Sequence, residues 1–377
     1  MAFEWVDDMF SDERTLYGRQ KELDVVRGLS VLLMVGAHVF NQFTPLTVEP
    51  AASEGFFSSI ARLTGAFPGG AQCFMMVMGI LILFSTRVDG KALMKRGAIL
   101  IVAGFVLEFM RILPGIINLM VTGNLVSFYP EYSYAEDWQL IVITLFWQDI
   151  LIFAGMALIF LGLVIHYDLS DVLVILMVAA IMVANTFLAG MDTGNDVLNI
   201  ILGYFWGTTV FDGFMTTSRF PFFSWIVYPV AGYLIGKWLI CSRRKGEFYK
   251  TIGFWFLLLS IPFTIIGLFT GMFVDGFTGL GFYHQGALIN IWCTLLSFDW
   301  IVLVYFISKK VPEKYLAHTY RWSRNITQIY VLHFMILAIF IQFLPQSVNI
   351  IGCVVIYLSL FAAVDGLSEL ISRGMRH

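Results

Sequence analysis

LDVVRGLSVLLMVGAHVF, residues 23–40, carries an aspartate and an arginine at one end of an apolar run and a histidine near the other. A helix turns about 100° and rises about 1.5 Å per residue, so Arg27 and His38 return to within about 20° of one face, roughly 16 Å apart. That face holds a cation at one mouth of the membrane and an imidazole beyond its middle. Ionisable groups inside hydrocarbon are expensive and mark functional positions by default. Asp24 lies one turn before Arg27, the spacing at which opposite charges meet on a helix, which predicts an aspartate fixing the guanidinium. Arg27 also reads as a snorkelling, orientation-setting arginine, and His38 as a histidine hydrogen-bonded to a neighbouring helix.

The rest of the chain is built in the same way. Of its 377 residues 59% are hydrophobic and 13% charged, and the mean hydropathy is +0.81, whereas about a quarter of a soluble domain is charged. The fold class expected is therefore an all-α, polytopic integral membrane bundle. A net charge of -3 says nothing about nucleic acid by itself, since a binder needs a clustered basic face, and no nucleic-acid partner is expected. Cys73, Cys241, Cys293 and Cys353 have no paired spacing, so neither a disulfide framework nor a zinc site is indicated. No histidines and carboxylates share metal-ligand spacing, and no metal is expected.

Apolar runs long enough to cross the hydrocarbon core fall at 25–43, 67–86, 96–120, 145–166, 169–189, 220–241, 251–274, 285–308, 325–344 and 348–371. These predict about ten transmembrane helices. LNIILGYFWGTTVF, residues 198–211, is too short and reads as an interfacial or re-entrant helix. The first residues are polar and acidic, unlike a cleavable signal peptide, so 1–22 reads as an N-terminal segment and 23–377 as one transmembrane domain. Alternation places twenty of the 23 Lys and Arg residues on one side, leaving Arg62, Arg111 and Arg219 on the other. By the positive-inside rule both termini are cytoplasmic. The outer loops are longer and aromatic, notably FYPEYSYAEDW at 128–138, a surface that suits a sugar or forms an interfacial aromatic belt.

Further polar residues fall at membrane depth. Glu108 lies near the depth of His38, where a carboxylate bonded to the imidazole would set its tautomer; Arg111, one turn on, competes as an ion-pair partner. Gln148 and Asp149 open the fourth span at the outer side, to meet an acceptor or to cap a helix. His333, one turn after Tyr330, is again near mid-membrane. His284 follows Tyr283 at an outer helix end. Asp299 is deep, and spacing names no partner for it. Gly155, Gly162, Gly232 and Gly236 suit either internal packing or contacts between copies, leaving the oligomeric state open.

The run LDVVRGLSVLLMVGAH, with an arginine, ten residues and a histidine in the first membrane helix, resembles the transmembrane acyltransferase superfamily. The nearer branch is the heparan-α-glucosaminide N-acetyltransferase-like proteins, related to acyltransferase family three. GAQCFMMVMGILILFSTR (70–87), KRGAILIVAGFVLE (95–108), FWQDILIFAGMALIFLGLV (146–164), FPFFSWIVYPVAGYLIGK (220–237) and SRNITQIYVLH (323–333) are similar to that branch, in order. The resemblance implies acyl transfer from cytoplasmic acyl-CoA, typically acetyl-CoA, to an amine or hydroxyl of a glycan or glycolipid on the far side of the membrane. It maps the intramembrane histidine to His38 and the mouth arginine to Arg27. Where family three has two arginines three apart near the third helix, this chain has only Lys95 and Arg96.

Expected roles follow from the residues and the resemblance together. His38, Glu108 and His333 are candidate catalytic residues; Asp24, Arg27, Lys95 and Arg96 are candidates for the coenzyme phosphates; Gln148, Asp149 and His284 are candidates for the acceptor. His38 would serve as general base or as nucleophile. The lack of a large luminal domain points to a prokaryotic plasma membrane. A proton-coupled transporter using the same Arg, His and Glu residues is the rival reading, and a flippase-like partner in an envelope machine a third.

Overall fold

The computed structural model describes residues 9–43, 70–85, 88–126, 135–213, 215–270, 280–345 and 348–374. Arg62, Arg87, Arg376, residues 128–134 of the aromatic loop and the parts of the expected spans at 67–69, 86 and 271–274 lie outside them. The regular elements among the described residues are helices apart from one two-stranded hairpin and two isolated bridges. In order it comprises α1 (Lys21–Phe43), α2 (Ala71–Ile82), α3 (Gly90–Thr122), α4 (Asp137–Leu145), α5 (Ile150–His166), α6 (Asp171–Leu188) and α7 (Asp196–Trp206). Strands β1 (Thr209–Val210) and β2 (Met215–Thr216) follow. Then come α8 (Phe222–Trp225), α9 (Val227–Ile240), α10 (Lys245–Thr270), α11 (Leu280–Tyr283), α12 (Ala287–Ser308), α13 (Glu313–Arg324), α14 (Ile326–Phe343) and α15 (Ile350–Gly374).

Every expected span coincides with a helix. Eight helical segments are long and apolar enough to cross a membrane, α8 and α9 counting as one, while α2 and α5 are shorter apolar helices. The chain is thus a multi-pass integral membrane protein. Boundaries shift by several residues: α3 starts at Gly90 rather than 96 and runs over 33 residues with Pro114 inside it, α10 starts at Lys245 rather than 251, and the fourth span begins at Ile150 rather than at 145. Gln148 leaves the helical path to pair with the segment that follows β2: its amide donates to the Thr217 carbonyl at 3.4 Å and the Arg219 amide to the Gln148 carbonyl at 3.2 Å. The 198–211 stretch is α7 followed by β1.

Local chemistry sets the helix starts. Asp89 accepts hydrogen bonds from the amides of Lys91 and Ala92 before α3, and Ser170 from Leu173 before α6, each satisfying donors that the first turn leaves open. Glycines set the packing. Within α3, Gly90, Gly97 and Gly104 recur every seven residues and meet α5, where Gly155 and Gly162 repeat the interval. A Cβ on Gly97 would stand 2.5 Å from the Gly155 carbonyl oxygen, and one on Gly155 would stand 2.6 Å from that of Gly97. Lipid gives no hydrophobic drive between helices, so such close backbone approach is what holds them. Gly232 of α9 meets the Met76 carbonyl of α2 at 1.9 Å by the same measure, and these glycines therefore serve internal packing. Gly155→Val is expected to force the pair apart and cost about 1–3 kcal/mol, read as a lower apparent melting temperature in detergent; an unchanged melting point would show that the seam yields.

At the end of the bundle where α1 begins, α13 crosses that helix. A Cβ on Gly28 would lie 2.5 Å from the Thr319 carbonyl oxygen, so the two backbones touch. Lys21 donates to Glu313 at 2.6 Å and holds that exposed carboxyl below the usual carboxylate range.

Candidate active site

Four elements converge on His38. Its ring lies 5.3 Å from the His333 ring of α14, inclined by only 29°, and 4.6 Å from Phe334. The structure thus brings together the two histidines that sequence placed at similar depth. The His333 Nδ1 is 3.2 Å from the Ile329 carbonyl; a carbonyl only accepts, so Nδ1 carries the proton and Nε2 keeps a lone pair. That Nε2 is buried and has no partner among the described residues.

Behind Phe334 stands a buried ion cluster. The Arg111 guanidinium carbon is 4.1 Å from the Phe334 ring centre, and Arg111 Nη2 is 3.0 Å from Glu108 Oε1 and 2.5 Å from Asp149 Oδ2. Glu108 is accordingly paired with Arg111, and the expectation that it bonds the imidazole is corrected. The reason is local: i and i+3 positions on α3 face each other, whereas His38 belongs to another helix. Neither Glu108 oxygen is aligned for a hydrogen bond among the described residues. The carboxylate whose charge reaches His38 is Asp149, along with the charges of Arg111 and Arg219. Asp149 also caps α5, its Oδ1 accepting the Ile150 amide at 2.6 Å, so the capping reading holds too.

Asp24 requires a second correction. Its carboxylate is taken by Arg19 and by the Ser323 hydroxyl of α13, the latter at 2.7 Å, and it anchors α13 on α1 rather than fixing Arg27. Half-buried Arg27 feels the charges of Asp24, Arg19 and Arg96 yet has no hydrogen-bond or ion-pair partner among the described residues. Lys95 and Arg96 are exposed on α3.

Between these two levels runs a cavity. From α1 it is lined by Ser30, Val31, Met34 and His38, from α2 by Ala71, Phe74 and Met75 with Gly70 before them. Ile150, Leu151 and Ala154 of α5 and Ile326, Thr327 and Tyr330 of α14 complete it. Its middle is apolar; hydroxyls stand at one end, His38 and Tyr330 at the other.

Gln148 and His284 meet at Ser218. The Ser218 hydroxyl donates to Gln148 Oε1 at 2.5 Å, and His284 Nε2 donates to the Ser218 carbonyl at 2.7 Å. His284 packs on Gly207, whose φ is +73 and where a Cβ would come within 2.4 Å of the ring. Beside them Arg219 lies between Trp147 and Tyr283, 5.3 and 5.0 Å from the ring centres. Asp299, deep in α12, accepts the Ser260 hydroxyl of α10 at 2.6 Å.

Spacing alone missed Tyr330, Phe334 and Arg219 as members of this site; Tyr330 stands in the same YVLH run as His333, which was the available clue. Among the described residues no three His, Cys, Asp or Glu side chains are grouped as metal ligands.

No curated protein matches the chain. The family profile described as heparan-alpha-glucosaminide N-acetyltransferase, catalytic, matches residues 19–268, a segment that holds Arg27, His38, Glu108, Arg111 and Asp149. As that match takes in about two thirds of the 377 residues, the chain belongs to the heparan-alpha-glucosaminide N-acetyltransferase catalytic family and is an acetyltransferase of the membrane.

Proposed function

We propose that the protein takes an acetyl group from acetyl-CoA at the cytoplasmic face and transfers it to an amine or hydroxyl of a glycan or glycolipid on the opposite side. One observation carries this reading: the face of α1. Arg27, Val31, Met34 and His38 are spaced four, three and four apart, so they form one stripe on the helix. Val31, Met34 and His38 line the cavity, and Arg27 stands one turn before it. Planar guanidinium donors bind phosphate bidentately, and Arg27 is half-buried beside Arg96 with no partner among the described residues. From there to His38 is roughly 16 Å along the axis, on the order of the length of a pantetheine arm. A thin, apolar cavity suits that arm.

On this reading Arg27, assisted by Lys95 and Arg96, holds the coenzyme phosphates. His38 removes the acceptor's proton or carries the acetyl group, and His333 stacks against it. Gln148, His284 and the loops about them receive the acceptor from the outer side. The distribution of Lys and Arg supports cytoplasmic termini, and a prokaryotic plasma membrane is the setting of this reading. Asp24, bound to Arg19 and Ser323, supports the wall of the entrance.

Arg27→Ala tests the reading by calorimetric titration of acetyl-CoA into purified protein. Loss of charge-assisted hydrogen bonds of about 1.5–3 kcal/mol weakens binding by roughly ten- to hundredfold. Undiminished affinity in the variant would place the coenzyme elsewhere, and a wild type without affinity for acetyl-CoA would refute the reading.

A further inference from the structure

Attack on a thioester carbonyl places negative charge on its oxygen, and a donor must meet that charge. The groups around His38 can be taken in turn. His333 Nε2 bears a lone pair, because Nδ1 donates to the Ile329 carbonyl, so it can only accept. Arg111 does not line the cavity and its Nη2 is shared by two carboxylates. Ser30 lies eight residues before His38, about 12 Å along α1, and Thr327, also on the cavity, lies six residues before His333, about 9 Å along α14. Tyr330 remains. It lines the same cavity as His38, is 7% exposed, and its hydroxyl, near Asp149, makes no well-aligned hydrogen bond among the described residues.

We infer that Tyr330 is a catalytic residue whose hydroxyl donates to the thioester carbonyl oxygen as the acetyl group is transferred at His38. The inference rests on the function proposed above. Three features prepare the phenol for this role. Its ring is held edge-on against Phe334 and His333, 5.1 and 5.5 Å between centres. Asp149 is near enough to accept from the hydroxyl, and as Arg111 and the Ile150 amide also bond its two oxygens, the O–H can leave the carboxylate for a carbonyl oxygen in the cavity without stranding it. Arg111 also offsets the carboxylate charge that would otherwise repel a developing oxyanion.

The step balances as follows. The acceptor nitrogen or oxygen forms a bond to the carbonyl carbon while its proton passes to His38, and the C=O π pair moves to the oxygen facing Tyr330. When that pair returns, the C–S bond breaks and the thiolate leaves, taking the proton back from the imidazolium. Tyr330 gives a hydrogen bond throughout and transfers no proton.

Tyr330→Phe keeps the ring and removes the donor. With acetyl-CoA alone, and with glucosamine added, thiol release should fall about 10²- to 10³-fold in kcat, while KM for acetyl-CoA stays within about threefold because the coenzyme phosphates are bound elsewhere. A second protein with 3,5-difluorotyrosine at position 330 keeps ring and hydroxyl and should retain wild-type kcat within about threefold, since oxyanion stabilisation needs only the donor. Full activity in Tyr330→Phe overturns the assignment, as does a loss in the fluorinated protein as deep as that in phenylalanine. If wild type itself neither binds nor cleaves acetyl-CoA, the proposed function fails first; if wild type turns over and only the phenylalanine result is null, Tyr330 alone is misassigned.

Discussion

His38→Ala is expected to lower turnover of acetyl-CoA by about 10²- to 10⁴-fold, the usual contribution of a positioned general base. Binding of the coenzyme should change little, because the stripe on α1 separates the two tasks: Arg27 stands outside the cavity and His38 lines its far end. His38 has no hydrogen-bond partner among the described residues, so its removal leaves no buried polar group orphaned and the fold should survive. The measurement is paired, calorimetric affinity beside single-turnover thiol release. Retained turnover with retained binding would remove His38 from the chemistry, and loss of both together would recast it as a packing residue.

The largest expected effect on stability belongs to Arg111. Its guanidinium joins two buried carboxylates, and Arg111→Met would leave Glu108 and Asp149 as like charges in a dry site. Breaking a buried pair by removing one partner costs about 3–5 kcal/mol, enough to unfold many proteins. Adding Glu108→Gln and Asp149→Asn to that variant removes the stranded charges and should recover most of the loss, since a buried ionic cluster can often be exchanged for a neutral one. Asparagine still caps α5. Thermal unfolding of the single and triple variants in one detergent checks this; a triple variant no more stable than the single one would show that packing against Phe334 matters more than charge.

Much of the fold was legible because hydropathy over twenty residues is a coarse and strong quantity. All ten segments are helices, and the Arg27–His38 face followed from helical angle alone. The misplacement at 145–149 arose because Phe146 and Trp147 are as apolar as the helix they precede; only the pairing of Gln148 with Thr217 and Arg219 shows the break, and that partner is some seventy residues away. The site was legible in part for the same reason. Depth could be counted along each helix, so His38, Glu108 and His333 were placed at one level. Which of them touch depends on how helices rotate against one another, and Glu108 turned to its own helix neighbour. Asp24 shows the same limit: one turn from Arg27 in sequence, it is held instead by Arg19 and by Ser323.

Two walls of the cavity are cut short. α2 has 12 residues and α5 has 17, or about 18 and 26 Å of helix, against a hydrocarbon core of about 30 Å. Beside the cavity, then, the helical wall between the two aqueous phases is shorter than the bilayer is thick. On the proposed function, an acetyl group released beside His38 would have crossed about half of the roughly 30 Å core without any segment of the protein swinging across the bilayer.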